Sequence, residues 1–133
     1  MTLLDLRERI LALYSESKLE LLAPDAEAAI RQASPSLPDD YFASLRELGY
    51  GSIGQGMYMV YKGPISPADV FDSATAGDLG GVLLVGDDFA GTHEAYQVSD
   101  TAVSFGCVDS SRPRFVAHQD MTFAEFLARR YAA

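Results

Sequence analysis

A chain of 133 residues, 48% hydrophobic and 22% charged, is long enough to bury a core and too apolar to remain disordered. Its formal charge of −9, from 19 acids against 10 Lys and Arg, disfavours nucleic acid and anionic lipid and favours cationic partners. Apolar runs are as short as Val82-Leu83-Leu84-Val85, so no membrane-spanning segment is expected, and the single Cys107 excludes an internal disulfide.

Asp5, Arg7, Glu8 and Arg9 interrupt the apolar stretch that follows Met1, so the opening residues do not read as a secretory signal. With one cysteine, expected as a small buried strand residue, the composition fits a reducing cytosol. Leu3, Leu6, Ile10 and Leu13 recur at the spacing of one helical stripe, with Leu11 and Tyr14 beside it, and Thr2 with Asp5 forms a capping box. A second helix is expected over residues 25–33, opened by Asp25 after Pro24 and ended by Ser34-Pro35-Ser36. A third covers about 39–48, from Pro38 to a terminating Gly49, with Tyr41, Phe42, Leu45 and Leu48 as its buried face.

After Gly49 the period changes. The glycine run from Gly49 to Gly56 reads as a tight turn from helix into sheet, and Met57-Tyr58-Met59-Val60-Tyr61 reads as a strand. Ser66-Pro67-Ala68-Asp69 signals a short helical turn near 67–72. Strands are expected at 82–85 (buried on both faces), 94–98, 102–108 and 114–117, with Val103, Phe105 and Cys107 alternating onto one side. A last helix follows, capped by Thr122 and Glu125, stapled by Met121 and Phe126, and packed through Phe123, Phe126, Leu127 and Tyr131. Helices, then clustered strands, then a helix specify an α+β fold with a mostly antiparallel sheet. With neither repeat nor linker, one domain over residues 1–133 is expected.

Leu37-Pro38-Asp39-Asp40-Tyr41-Phe42, the glycine segment after Leu48, the strand from Met57 to Tyr61, and Leu83-Leu84-Val85-Gly86-Asp87-Asp88 with Gly91, Tyr96 and Val98 follow one another in a telling order. This order resembles the SMI1/KNR4 family of the SUKH superfamily. Leu48-Gly49-Tyr50-Gly51 departs from it by lacking an asparagine before the glycines, and the chain has no Trp. The resemblance implies an SMI1/KNR4-like domain and the role of a bacterial immunity protein. Such a protein neutralises a polymorphic or contact-dependent toxin, often a nuclease, by direct binding and without a catalytic residue, metal or cofactor. Fungal relatives imply the alternative of a non-catalytic scaffold module.

Residues 63–111 carry eight acids (Asp69, Asp72, Asp78, Asp87, Asp88, Glu94, Asp100 and Asp109) and neither Lys nor Arg. A cationic toxin would be steered toward such a segment, while buried aromatics supply most of the final affinity. The expected partner-binding residues are therefore Asp69, Asp72, Asp87, Asp88 and Glu94, with Tyr50, Tyr58 and Phe89 as anchors. The resemblance and the charge together make a protein toxin with a cationic surface the expected partner, rather than nucleic acid or a membrane. Asp87, Asp88, His93 and Glu94 also raise the alternative of a small hydrolase, although their spacing matches neither an EF-hand nor a zinc hydrolase. His118 reads as a surface or capping residue. The glycine run lacks the Lys of a phosphate loop.

Overall fold

In the computed structural model, which describes residues 1–133, Thr2 opens helix α1 (Leu3–Leu13). The Thr2 hydroxyl accepts from the Asp5 N–H at 3.0 Å, and the Asp5 carboxylate accepts from the Thr2 N–H at 2.9 Å. Two of the four orphan amides of the first turn are satisfied this way. Leu6 and Ile10 are buried, but Leu13, expected on the same stripe, is 55% exposed. Tyr14 takes the next inward position instead, its ring edge-on to Tyr131 with centroids 6.0 Å apart.

Helix α2 (Pro24–Ala33) begins at its proline and ends at Ser34. Helix α3 (Asp39–Ala43) continues directly into one wide π-turn, Ser44–Leu48, so the helix expected over 39–48 is present with a loosened end. Tyr41, Phe42, Leu45 and Leu48 form its buried face as expected. Gly49 stops the helix at φ +113, and a Cβ there would meet the Glu20 carbonyl oxygen at 2.8 Å. From α1, Arg7 reaches over this end and donates to the Leu48 carbonyl at 2.7 Å and to the Leu19 carbonyl at 2.9 Å. One guanidinium thus satisfies a helix-end carbonyl and ties α1 to the sheet. Replacing Arg7 with Met should cost about 1.5 kcal/mol, since both carbonyls lose a charged donor, and denaturant titration reads the loss directly.

Seven antiparallel strands follow one another across the sheet in chain order: β1 (Lys18–Glu20), β2 (Tyr50–Ile53), β3 (Tyr58–Ile65), β4 (Val82–Asp87), β5 (Thr92–Val98), β6 (Val103–Asp109) and β7 (Arg112–Ala117). β2 corrects the reading of the glycine run as a turn alone. At Gly51 (φ +128) a Cβ would stand 2.0 Å from the Lys18 carbonyl oxygen, so glycine lets β1 approach as a pairing strand. The excursion between β3 and β4 holds the expected turn, Pro67–Asp69, capped by Ser66, and then an unexpected short helix, α4 (Ser73–Asp78). The Asp72 carboxylate caps α4 by accepting from the Thr75 N–H at 2.8 Å.

Both faces of the sheet are covered. On one, α1, α3 and the final helix α5 (Phe123–Tyr131) enclose a core that includes Tyr41, Tyr58, Tyr96, Phe105 and Phe123. The other carries a smaller core of Leu79, Val82, Leu84, Ala95 and Val108, with Phe71 and Phe115 packed against it. α5 has the expected reciprocal cap, with Thr122 accepting from the Glu125 N–H at 3.1 Å and Glu125 accepting from the Thr122 N–H at 3.2 Å. No helix is long and apolar enough to cross a membrane.

Candidate interaction surface

Because the strands form a simple meander, the β2–β3, β4–β5 and β6–β7 turns all emerge at one end of the sheet. The middle turn is built by two consecutive carboxylates. Asp87 accepts from the Phe89 N–H at 2.8 Å, and Asp88 accepts from the Ala90 N–H at 2.8 Å and the Thr92 N–H at 3.0 Å. The Ser110 N–H donates to the Gly91 carbonyl at 2.7 Å, fastening this turn to the β6–β7 turn, where Asp109 accepts from Ser111. These bonds hold the Asp109 carboxyl below the usual carboxylate range.

Phe89 crowns the middle turn in the left-handed region, at φ +61, and is 53% exposed. A non-glycine residue there carries about 1 kcal/mol of backbone strain, and Phe89 belongs to neither hydrophobic core. On the neighbouring β2–β3 turn, Met57 is also exposed. The ion pairs of the chain join Glu27, Arg31, Asp39, Arg46 and Glu47. None of the eight acids of residues 63–111 takes part in one.

Asp87, Asp88 and Phe89 therefore lie together, and Asp109 joins them, a residue the sequence did not single out. The register pairing Thr92 with Asp109 is what brings it there. Asp69 and Asp72 are exposed on the β3–β4 excursion, which returns over the sheet so that Phe71 packs against His93, and Asp72 is engaged in capping α4. Tyr50 is half-buried near the β1 edge, donating to Glu20 at 2.9 Å, with the Lys62 ammonium 5.5 Å from its ring centre. The lysine-free segment is thus divided over several surfaces.

Two of the expected partner-binding residues, the anchor Tyr58 and the acid Glu94, are inside the protein. Tyr58 is fully buried and Glu94 is 2% exposed, because Glu94 shares the parity of Tyr96 and so points toward α5. The Tyr58 hydroxyl donates to Glu94 Oε1 at 2.6 Å. Gly86, opposite Glu94, makes room for this pair, since a Cβ there would stand 2.0 Å from the Tyr58 oxygen. Burial pushes the Glu94 carboxyl up to about 7, against the downward pull of the Tyr58 hydrogen bond. Neither side chain can touch a partner in the folded state.

The hydrolase alternative's residues are split between the two faces of the sheet: Asp87 and His93 pair across β4 and β5, and Glu94 lies on the other side. His93 points to the face opposite Glu94, its ring edge-on to Phe71 with centroids 5.6 Å apart and its Nδ1 3.4 Å from the Tyr61 hydroxyl. Asp87 and Asp88 are occupied by backbone amides. No group of three or more His, Cys, Asp or Glu side chains is placed to hold a metal ion. His118, expected at the surface or in a cap, lies beside Phe105 and Phe126, with ring centres 5.4 and 6.0 Å away, and burial lowers its pKa. Cys107, expected to be buried, is half-buried at the β5–β6–β7 junction. Its thiol pKa is raised by burial and by the carboxylates of Glu94 and Asp109.

No family model, curated protein or solved structure matches the chain.

Proposed function

We propose that the chain is a non-catalytic immunity protein that neutralises a cationic protein toxin, of the nuclease class, by stoichiometric occlusion in the cytoplasm. The toxin class comes from the SMI1/KNR4 resemblance of residues 37–98. The observation that carries the binding role is Phe89, an exposed aromatic held in a strained backbone conformation by the carboxylates that surround it. Strain of this kind persists where function requires it, and an exposed aromatic on a rigid turn is a binding anchor with little entropy left to lose. Asp87, Asp88 and Asp109 supply an unpaired negative field around it, which attracts a cationic surface at long range.

Co-expression with its cognate toxic domain, sought in the neighbouring reading frames, should restore growth, and purified chain and toxin should form a one-to-one complex. Absence of both rescue and binding overturns the reading. The electrostatic part has its own test. Asp87→Asn, Asp88→Asn and Asp109→Asn combined keep the oxygen acceptors of the turns and remove three charges. Stopped-flow association with the toxin should slow about tenfold at low salt and lose much of its salt dependence. An unchanged salt slope removes steering from the mechanism.

A further inference from the structure

Helix α2 is amphipathic, yet no residue on it is fully buried. Ile30 is where it meets β3: a Cβ at Gly63 would stand 3.0 Å from Ile30 Cδ1, so glycine admits the helix this closely. Beside that contact, α2 and residues 61–65 of β3 bound an open groove of about 570 Å³, walled by Ala26, Ala29, Tyr61 and Pro64. Ala33 and Ser34 line both this groove and a second cleft of about 470 Å³. The second cleft includes buried Leu37, Leu79 and Val82 in its lining. Each space is of the size that holds a small organic molecule, roughly 300–1,000 Å³.

No acid lines either space, and Lys62 is the one charged residue in the two linings. Its ammonium has no carboxylate partner and rests 5.5 Å from the Tyr50 ring centre. The acids nearby are already engaged. Glu27 is held by Arg31 at 3.0 Å and by Arg46 at 2.9 Å, Asp39 by Arg31 at 2.9 Å, and Glu20 accepts from the Tyr50 hydroxyl at 2.9 Å. A cationic ligand would therefore meet Lys62 and find no acid, whereas a single negative charge matches the one free ammonium. We infer that the two clefts together bind a single-chain aliphatic carboxylate, its head at Lys62 and its tail passing Ala33 to reach Leu37, Leu79 and Val82. The chain's charge of −9 repels an anion at long range, so the tail supplies most of the affinity. The site stands apart from the Phe89 surface: residues 80–83 lead into the start of β4, and Phe89 follows its end.

Titrating the 15N-labelled protein with decanoate below its micelle concentration tests this. Amide shifts should localise to Ile30, Ala33, Gly63, Gly81 and Val98. Decanol should bind about fivefold more weakly, and decyltrimethylammonium should leave these amides unmoved. Octanoate should bind about tenfold more weakly than decanoate, since each methylene taken from water is worth roughly threefold to fourfold. Lys62→Gln should bring decanoate down to the level of decanol. Ala33→Phe fills the junction of the clefts from an exposed helix position, so it should block both ligands at an unchanged melting temperature. The inference is overturned by absent binding, by shifts confined to other surfaces, or by equal affinity for decanoate and decyltrimethylammonium. Undiminished decanoate binding by either variant overturns it as well. Phosphatidylglycerol vesicles should leave the same amides unmoved, and shifts there would assign the surface to a membrane instead.

Discussion

Glu94→Gln should raise the stability of the protein at pH 8 by about 3 kcal/mol and remove the loss of stability that Glu94 causes as pH rises from about 4.5 to 7. The Glu94 carboxyl lies under α5 at 2% exposure, and its pKa in the folded chain is about 7 against an ordinary 4.5. Burial is the largest cause, and the nearby Asp88 carboxylate pushes in the same direction. Between the two pKa values the folded state binds the proton and the unfolded state does not. Stability is therefore complete below the unfolded pKa and falls as pH rises through the folded one. Glutamine keeps an oxygen for the Tyr58 hydroxyl and never ionises, so the desolvation cost at high pH disappears. Asp5, Asp72 and Asp109 have lowered pKa values, and their stability contribution is lost only toward more acid conditions. His118, whose pKa is lowered from 6.5 by burial, works in the opposite sense within the same window, so the difference between the two proteins' pH profiles isolates the share of Glu94. Urea unfolding of both proteins at pH 5, 6, 7 and 8 measures the effect, and parallel pH profiles would show that Glu94 does not carry this charge cost.

Local signals carried much of the fold. Both capping boxes are contained in four consecutive residues, and the buried face of residues 39–48 follows from helical spacing alone. What was hidden depends on contacts distant in sequence. β1 has three residues and one buried side chain, too short for any pattern, and β2 reads as a turn until Lys18 is placed against Gly51. Glu94 was misplaced for a different reason. Charge suggested the surface, while strand parity, shared with Tyr96 and Val98, already put it on the aromatic face. A carboxylate in register with buried aromatics is a buried carboxylate that needs a hydroxyl such as Tyr58. The acidic segment was visible as a count of charges, but the meander decides their grouping. It gathers Asp87, Asp88 and Asp109 on neighbouring turns and leaves Asp69 and Asp72 on the β3–β4 excursion.

Phe89→Gly should make the protein more stable and its complex weaker, two effects of opposite sign from one substitution. Glycine relieves the cost of φ +61 but is freer in the unfolded chain, which leaves a net gain of roughly 0.5–1 kcal/mol. The ring is 53% exposed, so little burial is lost with it. Binding to the toxin should weaken by about 2–3 kcal/mol, the range of an aromatic anchor at the centre of an interface. Phe89→Ala separates the two causes: it removes the ring but keeps a Cβ in the strained conformation. Alanine should lose affinity as glycine does while gaining no stability. Thermal unfolding and calorimetric titration of the three proteins give both quantities. If Phe89 instead braced the turn, both variants would be destabilised, and neither would change affinity beyond the loss of folded protein. A residue that costs the free protein stability and returns it only in the complex marks the surface through which this chain acts.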